Sequence, residues 1–158
     1  KMKNVILFAF STSSSAATIP ITLKTVTDEL GVKKDVSSFV VPVGATINMD
    51  GTAIMQGLAT MFVASVALYD LTLVDYMQIV LLAIVASIGT AAVPSAGIIT
   101  LTLILGSLGL GLDAIGLILA VDRILDMLRT SINVCGDAAV ACVVANSEDM
   151  LDKNIFNK

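Results

Sequence analysis

The stretch "VGATINMDGTAIM", Val43 to Met55, decides how the rest of the chain is read. Between Asp35 and Asp70 the only formal charge is Asp50, and it lies beside Asn48 and Gly51 in a run otherwise apolar enough to span a membrane. A carboxylate and an amide at such a position must be satisfied inside the protein, because lipid offers them nothing. Gly44 and Gly51 loosen the helix on either side. The segment therefore reads as a helix interrupted at its centre, with Gly44, Asn48, Asp50 and Gly51 freeing carbonyls and one carboxylate to hold a cation.

Composition supports a lipid setting. Of 158 residues, 56% are hydrophobic and 14% charged, against about 25% charged in ordinary soluble domains. Mean hydropathy is +0.95. The net charge of -4 is scattered among loops and buried-looking positions, which excludes a nucleic-acid-binding role. There is no histidine, so histidine catalysis and histidine metal sites are excluded within the chain. Cys135 and Cys142 are seven residues apart, on one helical face, and read as small packing residues. No nucleophile–base pair or phosphate loop is visible. An intramembrane acid pair of Asp50 and Asp137 is the one enzymatic alternative, and the chain is expected not to be an enzyme. It opens on Lys1 and runs directly into "VILFAF", with no cleavable signal evident, and reads as a piece of a longer membrane protein.

Outward from the interrupted helix, charges punctuate the sequence. "KTVTDELGVKKD", Lys24 to Asp35, precedes it and "YDLTLVDY" follows. The lysine-rich connector is expected on the cytoplasmic side and the acidic one outside. From Tyr76 to Leu112 there is no charge, a run too long for one span of about 20 residues. "SIGTAAVPSAG", Ser87 to Gly97, lies in its middle, and Pro94 cannot continue a helix. Two arms of roughly 14 residues, each about 21 Å long, are too short for a hydrocarbon core of about 30 Å. A re-entrant hairpin fits better than two tilted spans, and its tip must be buried in protein or line a cavity. "STSSSAATIP", Ser11 to Pro20, is a second small, hydroxyl-rich interruption between apolar flanks. Paired interruptions of this kind point to a binding site at the bilayer midplane.

The densest chemistry is in "DRILDMLRTSINVCGDAA", Asp122 to Ala139. At 100° per residue, Asp126, Arg129, Thr130, Asn133 and Asp137 share a face about 100° wide, with Ile, Leu, Val, Ala and Cys opposite. Holding Asp50, Asp126, Arg129 and Asp137 near a bilayer centre would cost roughly 10 kcal/mol before pairing. A pair that merely locks two helices is a poor return on that desolvation. A polar, water-accessible or ligand-filled site follows. Its oxygen-rich donors suit hard cations, the forked Arg129 suits a carboxylate, and Asp126 suits an ammonium. Together they describe a zwitterion with an extra carboxylate, an acidic amino acid.

Four motifs, "SSSAATIP", "GATINMDGT", "SIGTAAVP" and "DMLRTSINVCGD", resemble in sequence, order and spacing the dicarboxylate/amino acid:cation symporters, which include glutamate and aspartate transporters. The resemblance covers essentially the whole chain. It implies an all-α multi-pass membrane protein: two re-entrant helical hairpins, an interrupted transmembrane helix and a final amphipathic transmembrane helix. The expected parts are hairpin one at about 1–32, the interrupted helix at 36–70, hairpin two at 71–112, the last helix at 113–147 and a polar tail at 148–158. They form the C-terminal part of a transport domain whose six earlier helices are absent.

The resemblance further implies that Asp126 takes the substrate amino group, Arg129 its side-chain carboxylate and Asn133 its α-carboxylate, assisted by Thr52 and Thr130. Main-chain groups at Ser15, Val93 and Gly97 would close the site. One sodium site would use backbone oxygens of Gly44, Asn48 and Asn133 with the Asp137 carboxylate. A second would use backbone oxygens of Thr46, Ser87, Ile88 and Thr90, and a third the side chains of Asn48 and Asp50. Sodium, with protons as an alternative, would be the coupling ion, with no further cofactor. A homotrimer in the plasma membrane is implied for the longer protein. Departures exist: an extra alanine, Ala16, follows the serines, and Ser13 and Met127 stand where many members carry a second arginine. Arg123, about one turn before Met127, is the cation nearest to that role. Asp126 argues against a pure dicarboxylate carrier and Arg129 against the neutral amino acid branch. Carriers of a neutral amino acid, cystine or a C4-dicarboxylate, and an ion channel, are the alternatives.

Overall fold

A computed structural model describes residues 1–111, 113 and 115–158. The described residues form eight α-helices and no strand. Two helices of hairpin one come first: α1 (Lys3–Thr12) and α2 (Ser15–Asp28). The break between them is two residues, with Ser13 in the left-handed region at φ 52°. Ser14 caps α2 by accepting from the Ala17 N–H at 3.2 Å, which satisfies one of the orphan donors of that helix end. Pro20 lies inside α2, not at the break. The inward face of α2 is a stripe of hydroxyls, Ser15, Thr18, Thr22 and Thr25. Thr18 and Thr22 return their hydroxyl protons to carbonyls four residues back, at 2.8 and 3.0 Å. These two hydroxyls thus carry no unmet polar demand, and the small residues of the stripe allow close helix packing.

The interrupted helix comprises α3 (Lys34–Ile47) and α4 (Asp50–Val66). The expected interruption is there, but its residues are Asn48 and Met49. Gly44 and Gly51 sit inside helices, which corrects the reading of them as the breakers. They are small for another reason: contact with α7 (Ile115–Ser147). A Cβ at Gly44 would lie 2.5 Å from Asp137 Oδ1, and one at Gly51 would lie 2.6 Å from the Arg129 carbonyl oxygen. From the other side, a Cβ at Gly136 would lie 2.8 Å from Asn48 Nδ2. Both halves of the broken helix therefore press their backbones against α7.

Hairpin two is α5 (Leu73–Gly89) and α6 (Ala96–Ser107), with Pro94 in the tip between them. Thr72 and Asp75 form a reciprocal capping box at the start of α5. The arms are unequal, 17 and 12 residues, or about 26 and 18 Å, and neither reaches across a core of about 30 Å. The expected end of the hairpin at Leu112 lies outside the described residues.

Helix α7 is the central post and packs against α1, α2, α3 and α4, while hairpin two packs chiefly on α4. Among the described residues α7 alone is long and apolar enough to cross a membrane. Along its middle most polar residues face inward: Asp122, Asp126, Arg129, Asn133 and Asp137 are buried, whereas Leu117, Val121, Ile124, Leu128, Ile132 and Val143 are exposed, with Arg123 the charged exception. This inversion is what a helix bathed in apolar surroundings requires. One apolar cluster joins α4, α6 and the start of α7 through Val63, Leu101, Leu105 and Ile118. Another joins α2, α3 and the end of α7 through Val26, Val41 and Ala141. The tail is not loose. The Asp152 N–H donates to the Gly31 carbonyl at 2.8 Å and Lys33 N–H to the Met150 carbonyl at 3.0 Å. Lys1 Nζ donates to the carbonyls of Glu29, Ile155 and Phe156, next to the short helix α8 (Lys153–Phe156).

Candidate functional site

Three chain interruptions meet α7 at one level. Ser13 at the tip of hairpin one, Met49 at the break, and Thr90 to Val93 in hairpin two all line a cavity whose far wall is Asp126, Arg129, Thr130 and Asn133. Ser15, Thr52 and Gly97 complete it. The cavity thus gathers all eight residues expected at a substrate site, though they come from four separate segments of the sequence.

Each wall is held by a definable bond. Starting α4 anew at Asp50 leaves its first N–H groups without helical partners. Asn133 accepts the Gly51 N–H at 2.8 Å and donates its own amide to Thr52 Oγ1 at 3.2 Å, so the α7 amide caps the broken helix. The two hairpin tips are tied to each other by the Ala92 carbonyl, which accepts from the Ser14 hydroxyl at 2.9 Å and the Ala16 N–H at 3.3 Å. Hairpin two is tied to α7 by the Ser95 N–H, donated to Asp126 Oδ2 at 2.7 Å. Ser95 reaches that position with φ 60°, a left-handed conformation at the N-terminus of α6. At Gly97 the backbone packs closely against the Arg129 guanidinium; any Cβ there would overlap it.

Asp126 and Arg129 face each other inside this enclosure. Arg129 donates from Nε at 3.2 Å and from Nη2 at 2.5 Å to Asp126 Oδ1. Both side chains are nearly completely buried. The cavity beside them is only about 20 Å³, room for about one water molecule. With nothing between them, the carboxylate and the guanidinium satisfy one another.

The expected cation ligands fall in two places. Asn48 donates to the buried Asp137 Oδ1 at 3.2 Å, and Gly44 abuts the same carboxylate. Asp50 is exposed but passes close to Gly136, next to Asn48. Gly44, Asn48, Asp50 and Asp137 therefore form one oxygen-rich patch where the break meets α7. The Gly44 carbonyl accepts the Asn48 N–H at 2.8 Å. The second group is more dispersed. Thr46 is exposed on α3 and turns its hydroxyl back to the Val43 carbonyl. On α5, Ser87 is buried, its hydroxyl donating to the carbonyl of Ile84, and the Ile88 side chain is exposed. Thr90, just beyond α5, is buried and donates to the carbonyl of Ala86. The α3 and α5 helices are in contact, but no bond joins all four residues.

Two polar groups escaped the sequence reading. Asp122 is buried with Oδ1 unpartnered. It lies four residues before Asp126, so the same wheel would have placed it on the polar face. Gln56, a single amide in the apolar α4, is 1% exposed and donates to the Gly97 carbonyl at 2.8 Å. Arg123 is exposed and does not line the cavity, so it does not take the place of a second arginine there.

Broken helices converging on a buried carboxylate–guanidinium pair, with apolar residues outside, define an all-helical membrane protein with an internal polar site. The chain matches the Sodium:dicarboxylate symporter family over residues 1–147 and belongs to that family. It is 49% identical over 139 residues to Excitatory amino acid transporter 1 of Rattus norvegicus, covering 88% of this chain and 26% of the relative. It is 50% identical over 139 residues to Excitatory amino acid transporter 1 of Ambystoma tigrinum, with the same coverages. Excitatory amino acid transporter 4 of Mus musculus is 46% identical over 143 residues, covering 90% of this chain and 26% of the relative. The chain spans about a quarter of the length of these relatives. Family and relatives are named as transporters, in line with the expectation of a carrier and not an enzyme.

Proposed function

We propose that the full-length protein is a secondary active transporter that carries an acidic amino acid, glutamate or aspartate, together with sodium by alternating access. The observation that carries this reading is the buried Asp126–Arg129 pair in a cavity closed by main-chain bonds from both hairpin tips. A substrate bearing both an ammonium and two carboxylates separates the pair and engages each half: the ammonium at Asp126, the side-chain carboxylate at Arg129, the α-carboxylate at Asn133 with Thr52 and Thr130 beside it. Charge-assisted bonds replace an internal ion pair one for one, so the exchange is not penalised by an unpaired buried charge.

The closed cavity is too small for such a molecule, so one wall must move. Hairpin two touches α7 at the cavity through one hydrogen bond, the Ser95 N–H to Asp126, and is tied to hairpin one through the Ala92 carbonyl. It serves as the gate, and both hairpins are re-entrant. Sodium ions bind at the patch of Gly44, Asn48, Asn133 and Asp137, at Asn48 with Asp50, and at the carbonyls of Thr46, Ser87, Ile88 and Thr90. Coupling follows from the shared residues: Asn133 caps α4 next to the substrate and lies one helical turn from Asp137. A cation that orders the break also orders Thr52. The protein works in the plasma membrane, as a homotrimer in its full length.

Substrate-competition uptake with ion replacement tests this. Labelled aspartate uptake should be inhibited by unlabelled glutamate or aspartate and should fall when sodium is replaced by choline. Inhibition by alanine or succinate, with none by glutamate, would transfer the site to a neutral amino acid or a C4-dicarboxylate.

A further inference from the structure

We infer that Gln56 is a positioning residue that latches hairpin two by gripping the first turn of α6. Gln56 is 1% exposed and lies on α4, the helix on which hairpin two packs. Its Nε2 donates to the Gly97 carbonyl at 2.8 Å and to Thr100 Oγ1 at 2.5 Å. Thr100 in turn donates to the Gly97 carbonyl at 3.0 Å. Its hydroxyl also lies 3.5 Å from that of Thr90 at the other end of the tip. The amide thus ties the start of α6, the far end of the tip, to α4.

The placement has consequences at the cavity. Gly97 is the residue whose backbone lies on the Arg129 guanidinium. The turn carrying it begins at Ser95 without a side-chain cap, and on the α7 side its one hydrogen bond among the described residues is the Ser95 N–H to Asp126. Gln56, which does not line the cavity, holds the same turn from α4 and so supplies its second anchor. The arrangement is a tuned one, because Gln56 Oε1 is buried and unpartnered. An amide meant only to fill space would be better replaced by methionine or leucine, which leave no buried acceptor unmet. What the amide adds is two donors aimed at one turn of hairpin two. The latch concerns the geometry of the closed gate; it rests on the transport reading only for its effect on substrate binding.

The test is amide hydrogen exchange on the full-length protein in lipid nanodiscs, without substrate, comparing wild type with Gln56→Met and Thr100→Val. Removing both donors should speed exchange in residues 96–101 by about tenfold, the scale expected for lost buried hydrogen bonds. Thr100→Val keeps the Gln56–Gly97 bond and should raise it by roughly threefold. Exchange in α1 to α3 should stay at wild-type rates. Unchanged rates in 96–101 in either variant, or an equal acceleration of α1 to α3, would overturn the latch and leave Gln56 a packing residue. In uptake assays Gln56→Met should raise KM for aspartate while kcat stays within about a factor of two, as expected when ground-state and transition-state binding weaken together. Absence of any aspartate uptake by the wild type would count against the substrate, and the exchange result would still read the latch.

Discussion

The contact between the broken helix and α7 can be probed with one methyl group. In Gly51→Ala the new Cβ would sit 2.6 Å from the Arg129 carbonyl oxygen and 3.0 Å from Asn133 Oδ1. Both neighbours belong to α7; the Arg129 carbonyl is backbone and cannot rotate aside, and the Asn133 amide can turn only by giving up its bonds to Gly51 and Thr52. Ordinary contact begins near 3.4 Å, so α4 must retreat by roughly 0.8 Å, and overpacking of this kind costs about 1–3 kcal/mol. The retreat stretches the 2.8 Å bond from the Gly51 N–H to Asn133 beyond useful hydrogen-bonding range, a further loss of about 1 kcal/mol. Thr52 moves with it, so aspartate affinity should fall at least about tenfold, which corresponds to roughly 1.4 kcal/mol. Gly57→Ala is the matched control. It lies on the same helix with nothing within 4 Å of an added Cβ, and helix propensity alone should make it neutral or stabilising by up to about 1 kcal/mol. Thermal unfolding and calorimetric aspartate titration of the full-length variants give the answer. Equal unfolding temperatures and equal affinities for Gly51→Ala and wild type would refute the claim that close approach of α4 and α7 shapes the site.

Three further outcomes are expected. Arg129→Cys should shift competition in uptake assays toward neutral amino acids, since Asp126 keeps its ammonium role while the partner for a second carboxylate is lost; unchanged aspartate affinity would remove Arg129 from that role. Ser14→Ala loses both the α2 cap and the bond to Ala92, worth about 1–2 kcal/mol together, and limited proteolysis or exchange should find both hairpin tips loosened. Gly31→Ala forces a side chain into φ 77° and 2.6 Å from the Asp152 carbonyl oxygen; it should release the tail, read as faster exchange at Asp152 and Lys33, with little change at the cavity.

The fold was legible wherever its signal was local. Pro94 and the serine run marked the hairpin tips because a ring without an N–H and a cluster of hydroxyls act on their own backbone. The polar face of α7 followed from the 3.6-residue period, and the same arithmetic extends it to Asp122. Glycine was the ambiguous letter. Gly44 and Gly51 looked like breakers, yet they mark close approach to α7, and the residue type is the same for either purpose until the partner helix is known. The ties across the cavity were hidden for a different reason. The Ala92 carbonyl and the N–H groups of Gly51 and Ser95 are main-chain groups, present at every position, and only long-range folding brings them to Ser14, Asn133 and Asp126. Gln56 did carry a signal, a lone amide in an apolar helix, which in a membrane setting demands a partner. The docking of the tail depends on Gly31 adopting a positive φ beside residues more than a hundred positions away, and no periodicity announces it.

The central claim is that a cation gradient drives an acidic amino acid through the Asp126–Arg129 site. The most direct measurement is labelled aspartate uptake by the full-length protein in proteoliposomes with an imposed inward sodium gradient. The account predicts accumulation above the external concentration that disappears when the sodium and proton gradients are both collapsed. Uptake that persists unchanged after both are collapsed would contradict it.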